Sequence, residues 1–407
     1  MKQKTIFVFA YYSYKDPVFQ SAVLPYFENF PQKEKYRFVL LTFEQDRYTL
    51  SNEEIKSIRK LLLDHNIIWY KTKWHSGRFK LLKKAFDFVW GFILSLFLVL
   101  RYKAKFIYSE GFPGAIISHF LARFSRRKHI VHTFEPHADY MIESGVWSAK
   151  DWEARFLKRL ELKVANDCSH IFTATNAMIE KLTGLGVKAQ KHRVPSCVDL
   201  SLFKFSEEKR TCLRKKYHIA ADECLIVYLG KFGGMYMEDE LFDFFAYCKN
   251  KGKVKYRFLV LTPDAHQMVK EVSAKKGIID GELIVETLPK EKVPDYLSAA
   301  DFGFVGIRSI SSRRYSSPIK DGEYWACGLP IIIPDGISDD YLLAEEHQIG
   351  IRLKGLSEDS FAITLKQMEA IWEQSDLEAY RRRSRAFVQK DRDVEKYKEL
   401  YEKIFSS

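Results

Sequence analysis

The chain of 407 residues lacks the marks of several common protein classes. Its six cysteines, Cys168, Cys197, Cys212, Cys224, Cys248 and Cys327, form no CxxC pair. That scatter argues against a disulfide framework or a zinc ribbon and fits a reducing cytoplasm. HExxH or comparable metal-ligand spacing is missing, so no metal is expected. The formal net charge is +12, which calls for an acidic partner. A basic tail, an RNP-type aromatic motif and zinc-finger spacing are all lacking, so that partner is not expected to be nucleic acid. The apolar run TIFVFA at 5–10 leads into AYYSYKDP, which contains no glycine. That argues against an NAD-type dinucleotide turn and so against an oxidoreductase. The same run is short and is followed by Tyr, Lys and Asp, so it reads as a first strand rather than a signal peptide. The most apolar window, residues 85–100, would make about 24 Å of helix, short of the ~30 Å of a bilayer core.

What is present is a soluble globular composition, 46% hydrophobic and 29% charged, long enough for two domains. Strand-like runs at 5–10, 36–42, 67–70, 106–108, 130–133 and 170–174 alternate with helical patterns at 19–30, 52–65, 113–124, 152–165 and 176–185. The strand pattern restarts at 224–229 and continues at 256–262, 282–287, 301–305 and 331–333. Such alternation predicts parallel α/β sheets. Window 85–100 is flanked by Lys83, Lys84, Arg101 and Lys103 and contains Asp87. A core helix is the plainer reading. The competing one is a helix lying in an anionic membrane interface.

The most informative stretch is 313–334, RRYSSPIKDGEYWACGLPIIIP. Ser317 is an expected N-cap and Pro318 a first helical residue; Gly328 and Pro330 mark the stop, before the strand Ile331–Ile333. Ser316, Ser317 and Lys320 gather hydroxyls and an ammonium at the positive end of the helix, a setting for phosphate or diphosphate. Glu323 follows three residues after Lys320 on the same face, where a carboxylate can accept from a sugar diol.

PIKDGEYWACGLP at 318–330 resembles the donor-site signature of family-4 glycosyltransferases of the GT-B fold, commonly P-x-K-x-x-E-Y-x-A-x-G-x-P. The resemblance implies two Rossmann-like domains facing a cleft: 1–203 on the acceptor side, 204–385 binding the nucleotide sugar, and a last helix, 386–407, crossing back to the first domain. It assigns the diphosphate to the helix N-terminus with Lys320, and the ribose hydroxyls to Glu323. The segment RVPSCVDLSLF at 193–203 is similar to the family's V-x-N-G-V-D-x-x-x-F close of the first domain, with Ser196-Cys197 in place of Asn-Gly. In the glycine-rich turn after 224–229, Lys231 matches the family's basic diphosphate ligand and Gly233 and Gly234 offer backbone N–H groups. The family's second lysine is missing there, with Tyr236 nearby. Arg308, Arg313 and Arg314 stand in a basic loop before the signature. In the loop after 130–133, the resemblance implies sugar or acceptor contacts for His132, Glu135 and His137.

One departure stands out. The first glutamate of the family's E-x7-E pair is Tyr315 here, so donor preference does not carry over. The implied activity is metal-independent, retaining transfer of a sugar from a nucleotide sugar to a saccharide or lipid-linked acceptor in cell-envelope glycan synthesis. It would take place in the cytoplasm, at the inner face of the membrane, with His132, Lys231 and Lys320 as the catalytic candidates and no cofactor. Two alternatives stand beside it: a nucleotide-sugar epimerase on the same fold, with its acid and base among Glu135, His132 and His137, or a non-catalytic homologue that binds nucleotide or a partner.

Overall fold

The computed structural model describes residues 3–75, 80–373 and 377–406. The chain forms two units: residues 1–195 with 394–407, and residues 196–393. The first unit is built on a seven-stranded parallel sheet. Its strands are β1 (Lys4–Ala10), β2 (Tyr36–Glu44), β3 (Ile67–Lys73), β4 (Phe106–Glu110), β5 (Lys128–Thr133), β6 (His170–Thr173) and β7 (Gln190–Arg193), in the order β3-β2-β1-β4-β5-β6-β7. The second unit carries β8 (Glu223–Leu229), β9 (Lys255–Leu261), β10 (Leu283–Glu286), β11 (Phe302–Phe304), β12 (Ile331–Pro334) and β13 (Gly350–Leu353). Their order is β10-β9-β8-β11-β12-β13. Each sheet reverses direction once, between β1 and β4 and between β8 and β11, which is the doubly wound arrangement.

Both faces of each sheet are covered, which explains why the strands read as nearly continuous apolar runs. Alternation sorts their side chains. Phe7, Phe9, Val39, Leu41, Phe43 and Ile107 pack with Leu98, Val99, Ile117 and Leu121. On the other face Phe38, Phe106 and Tyr108 meet rings from Phe27, Phe30, Tyr401 and Phe405. In the second unit, Leu225, Val227, Leu259 and Ile331 pack with Tyr324 and Trp325, while Ile226, Phe258 and Phe304 pack with Phe242, Phe244 and Phe245.

Several sequence expectations are corrected. The helix expected over 19–30 is a short helix, Pro17–Ala22, and a separate 3-10 turn, Leu24–Tyr26, because Pro25 has no N–H to continue the ladder. The last helix, expected over 386–407, is divided between two helices, Leu377–Asp391 and Val394–Ser406. The second returns to the first unit as expected, burying Tyr397, Tyr401, Ile404 and Phe405. The unit boundaries lie at 195 and 393 rather than at 203 and 385. Residues 196–203 belong to the second unit because Ser196 bonds to Ser317 and Arg392, Val198 N–H donates to the Arg392 carbonyl, and Phe203 enters the second core.

The helix Lys80–Arg101 covers window 85–100 and has a buried and an exposed side. Leu98 and Val99 are buried, whereas Phe86, Val89, Trp90, Ile93, Phe97 and Leu100 are exposed. Among the described residues, no helix is long and apolar enough to cross a membrane.

Candidate functional site

In the second unit the sequence-predicted donor residues collect at the carboxyl ends of β8 and β11, the strands flanking the reversal of sheet order, where open α/β sheets place ligands. The signature helix is Ile319–Ala326. Its C-terminus ends as read: Gly328 has φ +75°, its N–H donates to the Trp325 carbonyl, and the Leu329 N–H donates to that of Tyr324. This pair of bonds is the Schellman motif. Its start differs from the expectation. Pro318, not Ser317, is the N-cap residue, and no side chain caps the first turn. The Ser317 hydroxyl accepts instead from the Ser196 N–H at 3.2 Å and from Arg392 Nη1 at 2.6 Å. The first-turn N–H groups are therefore left without a side-chain cap, the condition under which a helix start takes an anion.

Tyr324 fixes this helix to the sheet. Its hydroxyl accepts from the Leu229 N–H at 2.7 Å and donates to the Phe304 carbonyl at 3.2 Å, joining the ends of β8 and β11. The ring lies against Gly303, where an added Cβ would stand 2.7 Å from a ring carbon. One residue earlier, the buried Glu323 carboxylate accepts from Lys320 Nζ at 2.8 Å. Lys320 is half-exposed, so the pair has one side toward solvent.

The turn after β8 is shaped by Gly233 (φ +78°) and Gly234 (φ +62°), two successive left-handed residues that favour glycine. Lys231 is exposed, and its carbonyl accepts from the Tyr228 hydroxyl. Arg308 holds Glu240 through Nε at 2.9 Å and Nη2 at 3.2 Å, and donates to the Gly234 carbonyl at 2.8 Å. Burial opposes ionisation of Glu240, but Arg308 holds its carboxyl down to about 2. Arg308 thus ties the glycine turn to the loop after β11. Tyr315 ends the 3-10 turn Ser311–Tyr315, half-buried, with the Arg314 guanidinium 5.5 Å from its ring centre. The Ser316 hydroxyl donates to the Arg313 carbonyl.

Beneath the helix lies a charge cluster that sequence reading missed. Arg392, fully buried, bonds to Asp340, the Ser196 carbonyl and the Ser317 hydroxyl. Burial disfavours its charge, but Asp340 and Asp391 keep the guanidinium ionised. Asp321, in the first turn of the helix, is buried beside Asp340. Burial first, and then Asp340, push its carboxyl well above the usual range.

In the first unit, His132 is the last residue but one of β5 and is 1% exposed. Its Nδ1 lies 2.9 Å from the Tyr108 hydroxyl and 3.4 Å from Glu110, among the rings of Tyr26, Phe134 and Phe172. Glu135, on the following loop, and His137, the first residue of the helix His137–Glu143, are partly exposed, and burial lowers the His137 ring below the usual imidazole range. Glu161 holds the start of that helix by accepting the Ala138 N–H at 2.9 Å. At the β1–β4 reversal the glycine-free loop presents Tyr12, whose phenol is raised by burial and by Glu110, Asp16 and Glu135. Neither Tyr12 nor Glu110 stood out in the sequence, because only the sheet order brings them together.

Two doubly wound Rossmann-like units in one chain, with the terminal helix returning to the first, make this a protein of the GT-B fold. Neither a family model nor a curated relative matches the sequence. Among solved structures, Anabaena HepE in complex with UDP matches at a TM-score of 0.71 and 14% identity, covering 99% of this chain and 100% of that one. Sucrose-phosphate synthase from Thermosynechococcus elongatus matches at 0.69 and 14% over 100% of both chains. A glycosyltransferase from Rickettsia africae matches at 0.70 and 12%, covering 100% of this chain and 98% of that one. At these identities the likeness is one of fold.

Proposed function

We propose that the chain is a retaining, metal-independent glycosyltransferase that moves a sugar from a nucleotide-sugar donor to a saccharide or lipid-linked acceptor in cell-envelope glycan synthesis, at the inner face of a membrane. The observation that carries this reading is the Tyr324 clamp. It sets an uncapped helix start, Lys320 and Glu323 across the ends of β8 and β11, next to the glycine turn of Lys231. In this proposal the first-turn N–H groups, Lys320 and Lys231 neutralise the diphosphate, and Glu323 accepts from the ribose hydroxyls. The bond from the sugar anomeric carbon to the phosphate oxygen breaks as the acceptor oxygen bonds to that carbon. The acceptor proton passes to an oxygen of the departing diphosphate, so no protein nucleophile takes part. Glu135 and His137 are proposed to face the sugar or acceptor. His132 is assigned to holding Glu110 and Tyr108, because its ring is enclosed.

HepE has been solved with UDP-glucose, which makes UDP-sugars the first donors to try. Thermal unfolding with UDP-, GDP-, ADP- and CMP-sugars tests the site. Saturation at ~100 times Kd stabilises a protein by about 2.7 kcal/mol. One nucleotide is expected to raise Tm, Glu323→Ala to cancel the rise, and EDTA to leave transfer unchanged. A second reading, a non-catalytic nucleotide binder, is favoured by Tyr315 in the place of a family glutamate. Donor binding without transfer or hydrolysis in any acceptor screen would establish it.

A further inference from the structure

The first unit exposes an apolar face that its own core leaves uncovered. On the helix Lys80–Arg101, the exposed Phe86, Val89, Trp90, Ile93, Phe97 and Leu100 recur at helical spacing and fall within about 100° of arc. The opposite side is anchored: Gly91 faces the Phe43 ring, Leu98 and Val99 are buried, and Asp87 is held by His75. The neighbouring helix Gly111–Ser125 extends the patch with Phe120 and Phe124, the latter 72% exposed and in ring contact with Phe92. Eight side chains near half exposure amount to apolar area on the order of 700 Å², more than the few hundred Å² ordinary for a monomer.

Charge selects the occupant. Residues 80–128 contain ten lysines and arginines against two carboxylates, Asp87 and Glu110, both buried. Arg101, Lys103, Arg123, Arg126 and Lys128 are exposed around the apolar stripe, and Arg123 lies 3.5 Å from Asp167. A second copy docking face to face would bring like charges together. We propose that this face lies on an anionic lipid bilayer, with the aromatic and aliphatic stripe in the headgroup region and the basic residues against lipid phosphates. The inference deepens the membrane side of the proposed function, yet it stands on the first unit alone. Its test contains neither donor nor acceptor, so failure here leaves the transfer reading intact, and failure of donor binding leaves this one intact.

The test is co-sedimentation of the full chain with phosphatidylcholine vesicles, with and without about one-third phosphatidylglycerol, in low and high salt. Binding is expected to the anionic vesicles and to weaken with salt. Ile93→Ser with Phe97→Ser, and separately Lys103→Glu with Arg126→Glu, are each expected to weaken it roughly tenfold or more while Tm and circular dichroism stay unchanged. No binding to anionic vesicles, equal binding to neutral ones, or variants that bind like the parent would overturn the proposal. So would a dimer in light scattering that the Ile93→Ser, Phe97→Ser variant dissolves, since the occupant would then be a second copy.

Discussion

Lys320 and Glu323 form an ion pair that is worth little to the fold, because one partner is half-exposed and screened. Their value lies in what each offers a ligand. Lys320→Ala is therefore expected to change folding stability by less than about 1 kcal/mol in urea, yet to weaken donor binding by roughly 10- to 100-fold by calorimetry, the loss of a charge-assisted phosphate contact. Glu161 gives a test in pH. Burial pushes its carboxyl up to about 8, with the Ala138 N–H opposing. The folded chain thus holds a proton that the unfolded chain releases above about pH 4.5. This contribution to stability is whole below that pH and is lost as pH rises through about 8, with a slope of up to ~1.4 kcal/mol per unit. Glu161→Gln should flatten urea stability across that window. Lys320 and Glu323 were legible because they stand at an i, i+3 spacing on one helix. Arg392, Asp340 and Asp321 were not, because their meeting depends on segments far apart in the chain.

At the scale of elements, the signature helix shows what local pattern decides. Gly328 and Pro330 end it where their backbone preferences require. Its start moves by one residue because a tertiary partner, Arg392, claims the hydroxyl that would have capped it. Contact with the sheet is equally tertiary. Gly303→Ala would drive a methyl group into the Tyr324 ring, and the clamp on Leu229 and Phe304 would shift with it. The expected outcome is a loss of ~1–3 kcal/mol in stability together with a smaller nucleotide-induced rise in Tm. A variant that loses stability but keeps the full nucleotide response would separate the clamp from the donor site. The same logic explains residues 85–100, whose length and apolar content were readable but whose exposed face was not: a helix reveals which side is buried only when its sheet is in place.

At the scale of the whole molecule, the chain passes between units at 195–196 and 393–394, and Arg392 bonds beside both crossings to the start of the signature helix. Arg392→Met would leave Asp340 and Asp321 buried over no cation. A loss of ~3–5 kcal/mol in urea unfolding is expected, with partial recovery in the double variant Arg392→Met, Asp340→Asn. No recovery would mean that the arginine acts through packing on Trp325 rather than charge. The alternation of apolar runs with helical patterns determined two parallel α/β units from the sequence alone, because strand and helix periods are local properties of side-chain placement. The signature spacing likewise determined that Lys320 and Glu323 stand together, since one helix carries both. Only the tertiary structure decided that 196–203 belong with the second unit, that His132 is enclosed, that Arg308 is bound to Glu240 and that an apolar face stays uncovered. Each of these is set by contacts between distant segments, whose energies no local pattern contains.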